Sequence, residues 1–313
     1  VWLDMGIAGY FIGLSTGAFA AAIVAWWLIR DYLDFSRLHW DKWSELLRFG
    51  SPFIFCGMAM ILRDNADRLL IKYYLTFNHL GIYASSIRVA AIVSSMTGVF
   101  CLAFSPYAIE LIHSNDTPRA NRILALVLRY YGFCFLCFVL ILTVLAPGIV
   151  KFILPGTYKG SFYMIGVLAI SSVLFGFTFF SSLGTLKAQK TYLYSISVIV
   201  AAIITVLLNL WLIPLHGLFG AAVASASGML ILAFLSFYSS HRSWPIMFDY
   251  ATLILQIIFC LLGLLALHIN FLAGGSFENR FLILVGFLLI LTIISVRKGE
   301  ISKFKSLMQQ FFN

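Results

Sequence analysis

The sequence Arg63-Asp64-Asn65-Ala66-Asp67-Arg68 lies in the middle of an apolar segment that runs from about Phe49 to Leu75. Each Arg, Lys or Asp at the centre of a membrane helix costs about 2.5–3.5 kcal/mol, so the charges of this run together cost roughly 10–14 kcal/mol. The Leu, Ile and Phe residues of the segment return only about 3–6 kcal/mol. A helix with lipid on every side would not be stable, so we expect the charged face to look into a protein interior or a water-filled cavity.

The composition of the whole chain predicts its fold class. Of 313 residues, 62% are hydrophobic and 11% are charged, and apolar stretches of helical-span length recur along the chain. This pattern is typical of an all-α, polytopic integral membrane protein, because about 20 apolar residues in a helix cross the hydrocarbon core of a bilayer. About nine transmembrane helices are predicted, near 7–29, 50–74, 81–105, 123–146, 162–183, 192–213, 217–239, 250–270 and 279–296.

The basic residues predict an orientation. The chain has 21 Lys and Arg against 12 Asp and Glu, a net charge of +9. The basic residues concentrate in alternate loops, around 30–48, 119–122, 187–190, 242 and 297–305. By the positive-inside rule these loops and the C-terminus are cytoplasmic. The charge therefore indicates a membrane, and no nucleic-acid partner is predicted.

Cysteine and histidine give no sign of a catalytic, metal or cofactor site. Cys134 and Cys137 have a CxxC spacing, but no second pair and no histidine accompany them. All five cysteines lie within predicted spans, where they are expected to pack as small apolar residues. We predict no metal, no cofactor and no catalytic residue.

Two similar segments suggest an internal repeat. Glycine-rich turns at 5–13 and 216–222 each lead into a helix with a small-residue face. Duplication of this kind is common in secondary transporters, although small residues also occur wherever membrane helices pack closely. If the repeat is real, residues 1–30 hold the last helix of an N-terminal lobe, 31–48 an amphipathic cytoplasmic linker, 49–240 a six-helix C-terminal lobe, and 241–313 two additional helices with a basic tail. The chain begins at Val1, and we expect it to be the C-terminal portion of a longer protein.

The charges within the predicted spans are the candidate site. Arg63, Arg68, Lys72 and Arg88 outnumber Asp64 and Asp67, which predicts a positive lumen suited to the pyrophosphate or glycan of an anionic cargo. With a turn near Asn78, Arg68 and Arg88 would lie at matching depth and could clamp one headgroup.

Each of these charges also has a simpler interpretation. Arg63 with Asp67 and Asp64 with Arg68 could neutralise each other as i,i+4 pairs, and Lys72 could reach the outer interface. The two carboxylates could instead bind a coupling proton or sodium ion. Arg129, near the inner boundary, is expected to reach the interface in the same way as Lys72.

An ordered set of landmarks resembles a known family. They are Asp67-Arg-Leu-Leu-Ile-Lys-Tyr-Tyr-Leu-Thr-Phe-Asn-His-Leu-Gly81-Ile-Tyr83-Ala84, Phe104-Ser-Pro106 with Glu110, Leu154-Pro-Gly-Thr-Tyr158, Lys187-Ala-Gln-Lys190-Thr191, and Asn209-Leu-Trp-Leu-Ile-Pro214-Leu-His-Gly217-Leu-Phe-Gly220-Ala221-Ala222. The chain resembles the C-terminal portion of the polysaccharide or O-antigen flippases (Wzx type) of the multidrug/oligosaccharidyl-lipid/polysaccharide superfamily, to which the MATE-like transporters belong. Full members have twelve to fourteen helices, so this chain would correspond to helices six to fourteen.

The resemblance implies a function and partners. Such a protein moves an undecaprenyl-pyrophosphate-linked oligosaccharide from the cytoplasmic to the outer face of the bacterial inner membrane by alternating access, for O-antigen, capsule or exopolysaccharide biosynthesis. Its partners would be this lipid-linked oligosaccharide, the lipid bilayer and glycan polymerases.

Other functions stay open. A lipid II flippase or a multidrug exporter belongs to the same superfamily, and a drug-cation exporter should have an acidic cavity. A membrane-embedded glycan polymerase or ligase would need catalytic residues on a substantial outer loop, whereas the predicted outer loops are short. A scaffold that docks with glycan assembly proteins would need its buried charges only for structure.

Overall fold

The computed structural model describes residues 6–30, 43–114, 117–153 and 156–295. Eight α-helices follow one another along the described chain: α1 (Gly6–Ile29), α2 (Trp43–Tyr74), α3 (Phe77–His113), α4 (Thr117–Ile153), α5 (Phe162–Lys187), α6 (Thr191–Ser243), α7 (Tyr250–Leu272) and α8 (Phe277–Ser295). A short 3-10 helix, Gly156–Ser161, precedes α5. The all-α, polytopic membrane fold predicted from composition is confirmed.

Each predicted span coincides with a helix, and α6 contains two of them. Gly217 breaks α6 with φ 59° and ψ −136°, a conformation that glycine adopts without steric cost. The halves, residues 191–216 (α6a) and 218–243 (α6b), run back along each other, since Ser197 Oγ lies 3.2 Å from Ser239 Oγ. Gly228 of α6b packs directly against Thr205 of α6a, and this close approach is possible because Gly228 has no side chain.

Seven of the described helices are long and apolar enough to cross a membrane. The helix with the charged run, α2, is not among them, and α6 counts once although it holds two predicted spans. A total of nine spans therefore stays a prediction. Helices α3 and α4 have 37 residues each, so at 1.5 Å per residue they extend well beyond a hydrocarbon core of about 30 Å.

The chain divides into two compact units, residues 1–51 and 52–313. In the first unit, every side chain of α1 from Phe11 to Ile29 is exposed, as expected for a helix covered by lipid. The predicted linker 31–48 lies mostly outside the described residues, as does the basic tail from 296 onward. The lobe boundaries stay predictions.

The second unit has a core of buried apolar side chains from α2 to α8. Tyr131 of α4 joins three helices at its centre. Its hydroxyl donates to the carbonyl oxygen of Val173 in α5 at 3.1 Å and lies 3.3 Å from Thr97 Oγ1 in α3. Ser86 of α3 donates to the carbonyl oxygen of Ser161, at the start of α5, at 2.9 Å. These bonds hold α3, α4 and α5 in one arrangement.

Polar contacts also join α7 and α8 to α4. Gln256 of α7 donates to the carbonyl oxygen of Arg129 at 3.2 Å and to Ser295 Oγ of α8 at 2.8 Å. Arg129 itself is buried, with Nη1 3.8 Å from Asp249 Oδ2. The guanidinium therefore faces the carboxylate at the start of α7 from a buried position. That Arg129 reaches the membrane interface stays a prediction.

Candidate functional site

The charged run of α2 has one buried and one exposed edge. Arg63 and Asp67 are 7% and 5% exposed, whereas the Asp64 side chain is 58% exposed and Arg68 is also exposed. Residues four apart lie on the same side of a helix, so the buried edge contains Arg63 and Asp67 and the exposed edge contains Asp64 and Arg68. The expectation that the charges face protein or a cavity is met, because all four line one cleft.

This polar cleft has a volume of about 370 Å³ and lies among α2, α3, α5, α6a and α6b. Its walls combine the charges of α2 with hydroxyl groups from each of the other helices that surround the cleft. The hydroxyl residues are Ser94 of α3, Ser171 and Ser172 of α5, Thr205 of α6a and Ser225 of α6b. A polar cleft among helices that are otherwise apolar is a place where a polar ligand can enter the membrane domain.

Arg63 forms its ion pair with the adjacent Asp64. Its Nη2 and Nε donate to Asp64 Oδ1 at 2.7 and 3.0 Å. Its Nη1 lies 3.5 Å from the sulfur atom of Met229 on α6b. The pairing predicted between Arg63 and Asp67 is not formed, because Asp67 is turned towards partners on α3 and α6b.

Asp67 connects α2 to the neighbouring helices α3 and α6b by hydrogen bonds. Its Oδ2 accepts a 2.6 Å hydrogen bond from the Tyr83 hydroxyl of α3 and lies 3.4 Å from Ser225 Oγ. Its Oδ1 accepts from the backbone N–H of Arg68 at 2.7 Å. A buried carboxylate needs such donors to offset its lost hydration. The other predicted pair, Asp64 with Arg68, is likewise replaced, since Asp64 binds Arg63.

The structure does not support a clamp formed by Arg68 and Arg88. The turn between α2 and α3 lies at residues 75–76, earlier than the predicted turn near Asn78. Arg68 is six residues before the end of α2 and Arg88 eleven residues after the start of α3, so their depths differ by about 7.5 Å at 1.5 Å per residue. Arg88 is exposed and is not among the residues that line the cleft.

Lys72 also lies away from the cleft. It is exposed in the last turn of α2, and its Nζ is 5.4 Å from the ring centroid of Phe77 at the start of α3. Without Lys72 and Arg88, the ionisable residues lining the cleft are two arginines and two aspartates. The formal charges of this cleft therefore balance, and the predicted positive excess is not found among the residues that line it.

Tyr83 and the hydroxyl residues of the cleft were not predicted as site residues. Serine doublets such as Ser171-Ser172 and Ser94-Ser95 within apolar spans were the available signal. That signal is weak, because a serine within a helix often bonds to the carbonyl one turn earlier. Ser171 does so, with its Oγ 3.3 Å from the carbonyl oxygen of Val167.

A family model described as polysaccharide biosynthesis protein matches residues 5–163, about half of the chain. The chain belongs to the polysaccharide biosynthesis protein family. The match covers α1 to α4 and therefore includes the cleft residues of α2 and α3. The resemblance to polysaccharide flippases is thus confirmed at the level of this family. No curated protein and no solved structure matches this polysaccharide biosynthesis protein.

Proposed function

We propose that this polysaccharide biosynthesis protein is a transporter and not an enzyme. Its cargo would be a polyprenyl-pyrophosphate-linked oligosaccharide, moved by alternating access from the inner to the outer leaflet of the bacterial inner membrane. The product would supply O-antigen, capsule or exopolysaccharide assembly, with glycan polymerases as partners, and the C-terminus would be cytoplasmic. Membership of the family and the multi-pass helical fold support this proposal.

The single observation that carries the proposal is the polar cleft. Arg63, Asp64, Asp67 and Arg68 place four charges in a predicted membrane span, at a cost of roughly 10–14 kcal/mol. Such residues in membrane proteins usually mark the path of a substrate or an ion. A cleft of about 370 Å³ is within the roughly 300–1,000 Å³ usual for ligand pockets. It is large enough for part of a glycan headgroup.

A drug exporter is less favoured by the same cleft. A cavity for cationic drugs should have excess negative charge, whereas Arg63 and Arg68 balance Asp64 and Asp67. Asp67 stays a candidate for ion coupling, since it is a buried carboxylate whose bonding partners are the hydroxyl groups of Tyr83 and Ser225 and one backbone N–H.

A non-transporting scaffold is the second candidate. The Arg63–Asp64 pair and the bond from Tyr83 to Asp67 join or orient helices, as structural charges would. In a scaffold, however, the exposed Arg68 would have no ligand to bind. Neutralising Arg68 therefore separates the two candidates.

The experiment is complementation of a host strain that lacks the gene. The full-length gene is expressed as wild type, Arg68→Gln or Arg88→Gln, and lipid-linked oligosaccharide is measured on each membrane face together with surface glycan. We expect the wild type and Arg88→Gln to restore surface glycan and Arg68→Gln to leave oligosaccharide on the inner face. Arg88→Gln is the matched control, because Arg88 is an exposed arginine outside the cleft.

Two results would contradict the proposal. If the deletion strain exports glycan normally, the protein is not the transporter. If Arg68→Gln is expressed at the wild-type level and exports normally, the cleft charges are structural and the scaffold becomes the better candidate.

A further inference from the structure

The charge balance of the cleft bears on which part of the cargo it holds. Arg63 and Arg68 contribute two positive charges, and Asp64 and Asp67 contribute two negative ones. A diphosphate group is strongly negative and is usually bound where cations are in excess. In this cleft, a diphosphate that reached Arg63 would meet the carboxylate of Asp64, which already binds that guanidinium at 2.7 Å.

Two hydroxyl groups of the cleft have unused hydrogen-bonding capacity. Ser94 and Ser172 make no side-chain hydrogen bond within the described part of the chain, whereas Ser171 bonds to its own helix and Ser225 lies 3.4 Å from Asp67. Ser94 is exposed and Ser172 is half-buried, and they come from different helices, α3 and α5. Each can both donate to and accept from a ligand.

Sugar hydroxyls match this set of groups. A hydroxyl can donate to a carboxylate oxygen, accept from a guanidinium N–H and exchange hydrogen bonds with serine. Asp64 presents an exposed carboxylate and Arg68 an exposed guanidinium in the same cleft. The aromatic side chain of Phe175, 41% exposed, adds an apolar surface on which a sugar ring can pack.

We infer that the polar cleft holds hydroxyl-rich, uncharged sugar residues of the cargo rather than its diphosphate, with Asp64, Ser94 and Ser172 as hydrogen-bond partners. This inference deepens the proposed function and depends on it. Arg63 acts as a positioning residue, since it holds the Asp64 carboxylate from the buried side of α2. The diphosphate and the polyprenyl chain then lie outside the cleft.

The test compares two lipids that differ in the sugar. The full-length protein in nanodiscs is offered undecaprenyl diphosphate without sugar, or the glycan-bearing lipid extracted from the host, and each affinity is measured by native mass spectrometry. The variants are the pair Ser94→Ala with Ser172→Ala, and the control pair Ser95→Ala with Ser182→Ala. The control serines lie on the same two helices but do not line the cleft.

We expect wild type to bind the glycan-bearing lipid more tightly than the bare diphosphate. Each lost hydrogen bond lowers affinity by about two- to tenfold. The cleft pair should therefore lose about tenfold in affinity for the glycan-bearing lipid and none for the bare diphosphate, and the control pair should match wild type. Asp64→Asn should also lower the affinity for the glycan-bearing lipid, and leave the affinity for the bare diphosphate unchanged.

Other results would overturn the inference. The diphosphate would lie in the cleft if the cleft pair lost affinity equally for both lipids. The same would follow if Asp64→Asn bound the bare diphosphate more tightly than the wild type does. If the cleft pair binds both lipids with the affinities of the wild type, the sugars lie elsewhere. Failure of the proposed function is recognised separately, by normal export in the deletion strain.

Discussion

The hydroxyl group of Tyr83 donates a 2.6 Å hydrogen bond to Oδ2 of Asp67, and both side chains are buried. Tyr83 is near the start of α3 and Asp67 near the end of α2, so the bond sets how the two helices meet across their turn. Ser225 of α6b approaches the same oxygen at 3.4 Å. One carboxylate therefore lies where three helices converge, at the edge of the polar cleft.

Tyr83→Phe removes the shortest bond to Asp67. A hydrogen bond to a charged group contributes about 1.5–3 kcal/mol, so we expect a loss of stability of that size and a lower melting temperature in detergent. Tyr73→Phe is the control, because Tyr73 is 79% exposed on α2. Equal melting temperatures for the two variants would show that the bond from Tyr83 does not hold α2 to α3.

Asp249→Ala should weaken the contact between α7 and α4 and lower the stability of the protein. Asp249 Oδ2 accepts from Thr252 Oγ1 at 2.8 Å at the start of α7 and lies 3.8 Å from Nη1 of the buried Arg129. Loss of the helix cap lowers the free energy of unfolding by about 1 kcal/mol. Loss of the carboxylate near the buried Arg129 lowers it further, so we expect a total decrease of about 2–4 kcal/mol. Thermal unfolding in detergent measures the effect.

Ser276→Ala is the comparison for Asp249→Ala. Ser276 Oγ accepts from the backbone N–H of Asn279 at 3.4 Å at the start of α8, so its loss tests a helix cap alone. We expect a decrease of about 1 kcal/mol or less. If both variants lower stability to the same extent, the approach of Asp249 to Arg129 contributes nothing.

Gly217→Ala should strain the turn between α6a and α6b. Gly217 has φ 59° and ψ −136°, a backbone conformation that is unfavourable for a residue with a Cβ. A Cβ at this position would have no atom outside the turn within 4 Å, so there is space for it. We expect a loss of about 1–3 kcal/mol, from backbone conformation alone. Gly57→Ala is the control, since Gly57 is helical with open space around it. This substitution should raise the free energy of unfolding by up to about 1 kcal/mol. A neutral Gly217→Ala would mean that the turn has a second conformation.

Ser172→Cys should make the polar cleft accessible to chemical labelling. In a protein whose five native cysteines are replaced by alanine, a water-soluble thiol reagent should modify Cys at this cleft position. Ser182→Cys, on the same helix but outside the cleft, should react at least tenfold more slowly, because the thiolate form that reacts requires water. Equal rates measured by mass spectrometry would show that water does not enter the cleft selectively.

Composition and charge spacing were sufficient to predict the helices. In a bilayer, a backbone polar group without a partner costs several kcal/mol, so an apolar segment of sufficient length must be helical whatever surrounds it. The same argument, applied to the charges of residues 63–68, required a polar environment for one face of α2. The landmarks of residues 67–222 indicated the family. All three conclusions depend on local sequence or on the order of short motifs.

Which charges meet was decided only by the tertiary structure. Arg63 contacts Met229, 166 residues away, and Asp67 contacts Ser225, 158 residues away. A helix pattern places a side chain on a face, but the partner on the neighbouring helix fixes its direction. A turn only a few residues earlier than predicted moved Arg88 about 7.5 Å in depth from Arg68. The charge balance of the cleft and its hydroxyl lining follow from those distant contacts.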